Sequence, residues 1–193
     1  MTAISMGRRV LRTALAAGAA GAALVALTGC ERPAPNAHFT LGSHTTSREP
    51  VENCHAEHGD GALGAERVQE CIENTEDVVA FTAGHGDTLR VGVDPEVAED
   101  GWLLFYNGVL YDSTPFTSTY QTFEVDELYA AFDERNPNPG ALPERQEMRL
   151  LVAQVNDEYD RESIWSSESD EQYRERMFGS FEGVWNVDLE PED

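Results

Sequence analysis

Hydrophobic positions in this chain fall mostly into short runs separated by turn residues, a pattern that predicts strands more often than helices. Leu89, Val91 and Val93 alternate with Thr88, Arg90 and Gly92, the period-2 signature of a half-buried strand. Trp102–Tyr106 and Val109–Asp112 flank Asn107-Gly108, a dipeptide that supplies the positive φ angles of a two-residue hairpin loop. Further strands are expected at His38–Leu41, Val78–Thr82, Tyr120–Val125 and Met148–Val155, and around Trp185, Val187 and Leu189. Helical spacing is confined to short stretches. Val68, Cys71 and Ile72 fall at i, i+3 and i+4 within Ala62–Asn74, and Leu128, Ala131 and Phe132 form a second group ended by Asn136-Pro-Asn-Pro-Gly. A turn with one helical turn is expected at Asp94-Pro95, and Gly42–Glu52 reads as a polar loop. Frequent turns without β-α-β alternation predict a mainly β fold, an antiparallel two-layer immunoglobulin-like β-sandwich with a few short helices. Asp157–Met177 reads as a polar, acidic insertion between the last two strands, ordered or mobile, with a helix over Ser169–Phe178 capped by Ser169.

Charge narrows the partners. The 193 residues carry 13 Arg, no Lys and 36 acidic side chains, a net charge of −23. Nucleic acid is excluded as a partner, because a phosphate backbone is bound through Lys and Arg. A domain held by charge to an anionic bilayer is excluded on the same ground. An acidic exterior keeps a domain soluble and points to a monomer.

The first 30 residues differ from the rest. Arg8, Arg9 and Arg12 precede Thr13–Leu27, a charge-free run of 15 residues. As a helix it spans about 22 Å, short of the roughly 30 Å hydrocarbon core. That length fits the apolar region of a signal peptide. The run ends in Leu27-Thr28-Gly29-Cys30, which resembles the lipobox of bacterial lipoproteins. The resemblance implies cleavage after Gly29, a diacylglyceryl thioether on Cys30 and, at the new N-terminus, acylation of the palmitate type or exposure. It places the protein on the outer face of the cytoplasmic membrane, with residues 1–29 as signal, 30–37 as tether and 38–190 as one domain. Two acyl chains anchor stably where one binds marginally. Removing Arg8, Arg9 and Arg12 with the signal leaves ten Arg against 36 acidic residues, a net charge of −26.

Once Cys30 is lipidated, Cys54 and Cys71 remain, an even pair in an exported chain. A disulfide between them is expected, tying the helix at Ala62–Asn74 to the loop before it. The alternative is a metal site built from Cys54, His55, His58 and Cys71, whose spacing matches no standard zinc pattern. His55 and His58, with Glu57 and Asp60, form the one plausible metal cluster, and imidazole with carboxylate suits zinc or copper. Asp157, Glu158, Asp160 and Glu162 lack the glycine and terminal Glu of an EF-hand calcium loop.

Beyond the lipobox, three stretches are similar to an uncharacterised family of actinobacterial lipoproteins. They are Gly86-Asp87-Thr88-Leu89-Arg90-Val91-Gly92-Val93-Asp94-Pro95, then Gly101-Trp102-Leu103-Leu104 with Asn107-Gly108, and Gly183-Val184-Trp185-Asn186-Val187. The resemblance implies a location and a fold, and no catalytic residues.

No catalytic constellation is legible. Gly179-Ser180-Phe181-Glu182-Gly183 is not a nucleophile elbow, and nothing in the sequence brings the five His together with a Ser and an Asp. Gly84 and Gly86 precede a strand, whereas a phosphate-binding loop opens a helix. Trp102, Phe105, Tyr106, Tyr111, Phe116 and Tyr120 cluster near the hairpin, as core or as an exposed patch. The expectation is a non-catalytic, lipid-anchored binding or adaptor module of the cell envelope, needing no cofactor and engaging an envelope protein. The alternative is an envelope metal-binding protein using His55 and His58.

Overall fold

A computed structural model describes residues 33–56, 61–133 and 146–192. The signal segment, Cys30, the Glu57–Asp60 stretch with His58, and the Asn136-Pro-Asn-Pro-Gly terminator lie outside the described residues. The chain from Ala34 onward forms one compact unit.

Two sheets make the sandwich expected from the sequence. Strands β1 (Ala37–Leu41), β2 (His44–Arg48), β4 (Thr88–Val93) and β7 (Tyr120–Glu124) form one, in the order β2-β1-β4-β7. Strands β3 (Val79–Ala83), β5 (Trp102–Tyr106), β6 (Val109–Leu110), β8 (Met148–Val155) and β9 (Phe181–Pro191) form the other, in the order β3-β9-β8-β5-β6. All pairings are antiparallel except β3 with β9, which run parallel. Folding begins at Asn36 and Ala37, inside the expected tether. The Asn36 N–H donates to Asp94, and Ala37 is fully buried.

The inner faces follow the alternation. Phe39, Leu89, Val91 and Phe123 of the four-stranded sheet meet Trp102, Leu104, Leu150, Val152, Trp185 and Val187 of the five-stranded one. The intervening residues of β5, β8 and β9 are apolar too: Leu103, Phe105, Leu151, Ala153, Phe181 and Val184 are buried on the opposite face. A strand buried on both faces reads as a continuous apolar run, which is what Trp102-Leu103-Leu104-Phe105-Tyr106 is.

A third layer covers that second face. Helix α1 (Ala65–Glu73) contributes Val68 and Cys71. Helices α4 (Arg161–Trp165) and α5 (Asp170–Phe178) contribute Ile164 and Met177. Two further helices, α2 (Pro95–Asp100) and α3 (Val125–Asp133), connect strands. The 157–177 insertion is therefore not a mobile excursion but half of a helical layer, anchored by Ile164 at 2% and Met177 at 0% exposure. Ser169 caps α5 as expected, its hydroxyl accepting the Gln172 N–H at 3.2 Å. A second correction concerns Gly42–Glu52. Its His44–Arg48 part is strand β2, paired with β1 from Ala37↔Arg48 to Leu41↔His44. Among the described residues no helix is long and apolar enough to cross a membrane.

Candidate functional site

Cys54 and Cys71 form a disulfide, their Cα atoms 5.7 Å apart. It joins α1 to a segment that runs alongside β9, where the Val184 N–H donates to the Cys54 carbonyl at 2.9 Å and the Ala56 N–H to Glu182 at 2.7 Å. The bond removes both thiolates from the Cys54, His55, His58, Cys71 metal alternative. Among the described residues, no three His, Cys, Asp or Glu side chains are placed to hold a metal ion.

His55 sits where the apolar core ends. It lies over Gly183, 6.1 Å from the Trp185 ring, and a Cβ at Gly183 would meet the indole at 2.7 Å and the imidazole at 2.8 Å. Only glycine lets the two rings pass this close to β9. Burial holds the imidazole pKa below its ordinary value, against the opposing pull of Gln154, Glu96 and the backbone at Ala56. Gln154 is 3% exposed, and its amide donates to Asp100 at 2.7 Å and to Glu182 at 3.2 Å. Neither His55 Nε2 nor Gln154 Oε1 makes a hydrogen bond of ordinary geometry, and both are shut off from solvent. His55 thus fills the end of the sandwich with one ring nitrogen turned inward, and burial disfavours its charged form.

The outer face of the four-stranded sheet is different in kind. Strand register fixes which side chains share it. The first row is Ser47, His38, Gly92 and Tyr120; the next is Thr45, Thr40, Arg90 and Thr122; Thr88 and Glu124 follow. These ten positions hold no aliphatic side chain and a single carboxylate, on a chain with 36 acidic residues. Tyr120 is 66% exposed at the edge, and Gly92 leaves bare backbone between it and His38.

His38 links Ser47 to Asp94. Its Nε2 lies 3.1 Å from Asp94 Oδ1 and its Nδ1 2.7 Å from Ser47 Oγ. With Nε2–H donating to the carboxylate, Nδ1 accepts the serine hydroxyl proton. Burial alone would raise the Asp94 pKa, but the Asn36 N–H at 2.8 Å and the His38 ring outweigh it and hold the carboxyl below its usual range. The residue types are those of a nucleophilic triad, yet the connectivity is reversed: in Ser-His-Asp hydrolases the serine meets Nε2 and the aspartate Nδ1. Ser47 also stands exposed on an edge strand, open to water. The array does structural work, fastening β2, the start of β1 and the β4–α2 corner together.

Of the central aromatics, Trp102, Phe105 and Tyr106 are buried and Phe116 packs on Trp102 with ring centroids 4.7 Å apart, while Tyr111 and Tyr120 are exposed. Trp165, 52% exposed, stacks on Tyr173 at 5.2 Å and 11°. Comparison with protein-family models, with characterised proteins and with solved structures finds no match to this chain.

Proposed function

We propose that the chain is a lipoprotein whose β-sandwich is displayed on the outer face of the cytoplasmic membrane as a non-catalytic binding or adaptor module. The carrying observation is Leu27-Thr28-Gly29-Cys30 directly after an Arg-led apolar run. The cysteine pairing supports it: Cys54 and Cys71 are joined, so Cys30 is the one cysteine left for a thioether. A buried disulfide also suits an oxidising compartment. The similarity to actinobacterial lipoproteins belongs to the same reading.

The surface supports the binding part of this reading. The outer face of the β2-β1-β4-β7 sheet is polar, poor in carboxylates and edged by an exposed tyrosine. The Ser47–His38–Asp94 array, which has nucleophilic residue types, is wired as a brace. The test is fractionation of cells expressing the wild type and Cys30→Ala. Wild type partitions with membranes and the variant is released; a variant that stays with membranes overturns the anchor. Cross-linking of the anchored protein in envelopes then enriches a ligand or partner over an unrelated acidic lipoprotein, and no enrichment counts against the module.

A further inference from the structure

The outer face contains a depression of about 280 Å³ lined by Thr40, Gly42, Gly86, Asp87, Thr88 and Arg90. It lies between the β1–β2 turn and the β3–β4 turn. Gly42 and Gly86 stand at these turns with φ of +58° and +76°, and nothing approaches within 4 Å of where a Cβ would be. The walls there are bare backbone, open to an incoming molecule. The volume approaches the lower end of small-molecule sites, about 300 Å³.

The polar groups in it are mixed in sign. The Arg90 guanidinium is exposed and makes no hydrogen bond or ion pair among the described residues, although the chain is densely acidic. Asp87 accepts the Gly84 N–H through Oδ2 at 2.8 Å, leaving Oδ1 for another donor. The Thr40 hydroxyl shares a hydrogen bond with Thr45 at 3.0 Å, and Thr88 reaches Glu124 at only 3.4 Å. An anion gains from Arg90 and is repelled by Asp87; a cation meets the reverse. An apolar ligand finds no hydrophobic side chain in the lining. A neutral ligand with adjacent hydroxyls uses both charges, because each hydroxyl donates and accepts.

We propose that this depression binds a saccharide ring through a vicinal diol, with one hydroxyl donating to Asp87 and its neighbour accepting from Arg90, and the Thr40 and Thr88 hydroxyls completing the contacts. This rests on the binding-module reading and names its ligand class. Tyr120 lies on the same face, beyond Gly92, where a second ring of an oligosaccharide stacks on it.

The test uses the full lipidated protein in detergent micelles and ligand-observed saturation-transfer NMR. The probes are methyl glycosides of glucose, galactose, mannose and N-acetylglucosamine, a glucoside methylated at O2 and O3, and inorganic phosphate. Unblocked glycosides are expected to bind weakly, in about the millimolar range for so open a site. The methylated glucoside should give no transfer, and Arg90→Gln should weaken binding about tenfold or more. Thr40→Val serves as the second variant, with thermal melts confirming that both fold. The proposal is overturned if no glycoside gives transfer, if transfer survives both variants, or if phosphate displaces the sugar. A protein partner captured in envelopes without sugar binding overturns this inference alone, whereas sugar binding by a protein that never partitions to membranes overturns the anchor alone.

Discussion

Breaking the Cys54–Cys71 bond is the most quantifiable perturbation of this fold. The two cysteines are 17 residues apart, so in the chain-entropy treatment the cross-link restricts the unfolded chain by about 3 kcal/mol. For a domain of this size, that corresponds to a fall in Tm of roughly 6–12 °C. The loss should be local in the folded state. Helix α1 keeps three other ties to the sheet: Asn186 donates its amide to the Cys71 carbonyl at 2.7 Å, and Arg149 reaches the carbonyls of Asn74 at 3.1 Å and Ile72 at 3.5 Å. Reduction should therefore loosen α1 before the sandwich. The assay is calorimetry of oxidised protein, reduced protein and the Cys54→Ala, Cys71→Ala double variant, with hydrogen exchange resolved by segment. The double variant should melt within the stated range, with exchange in Ala65–Glu73 accelerated ahead of β8 and β9. A Tm within about 2 °C of wild type, or two titratable thiols in the native exported protein, would refute the reasoning.

Three other perturbations probe the packing. Arg149 makes a two-pronged pair with Asp188, whose residue is 8% exposed, so Arg149→Met strands a buried carboxylate and should cost about 3 kcal/mol by urea denaturation. Adding Asp188→Leu to that variant should recover much of the loss, and a further loss would contradict the account. Gly183→Ala forces a methyl into the contact between the His55 and Trp185 rings and should lower stability by about 1–3 kcal/mol, read by chemical denaturation. Because burial depresses the His55 pKa, the unfolded chain binds its proton more readily than the folded one. Stability from His55 is thus complete above the ordinary imidazole value of about 6.5 and declines as pH falls from there toward the depressed value. His55→Gln should flatten the wild-type stability–pH curve in that window, and an unchanged slope would show that His55 is not the titrating group.

The sandwich was legible where one physical signal dominated. Leu89, Val91 and Val93 announce a strand by period alone, and Asn107-Gly108 marks the β5–β6 hairpin because both turn residues need positive φ, observed at +44° and +77°. Strand β2 was not legible. His44-Thr45-Thr46-Ser47-Arg48 is an edge strand with little to bury, so it carries no apolar alternation and looks like loop. Helices α1 and α5 were legible, but their packing into a layer was hidden for a related reason. Tyr159, Ile164, Tyr173 and Met177 are spread among charged residues, and α5 buries Met177 fully with Tyr173 and Phe178 only partly buried beside it. The disulfide could be inferred from cysteine number and compartment. The outer-face features could not: His38 and Asp94 are 56 residues apart, and the depression joins two turns that only the β1–β4 pairing brings together.

The central claim is that this is a lipid-anchored, disulfide-bonded envelope domain, and intact-mass spectrometry of the protein extracted from membranes addresses it most directly. The account predicts a chain that begins at Cys30, carries the mass of a diacylglyceryl group, and is two daltons lighter than its reduced form. A chain that retains residues 1–29, or one recovered without lipid from the soluble fraction, would contradict it.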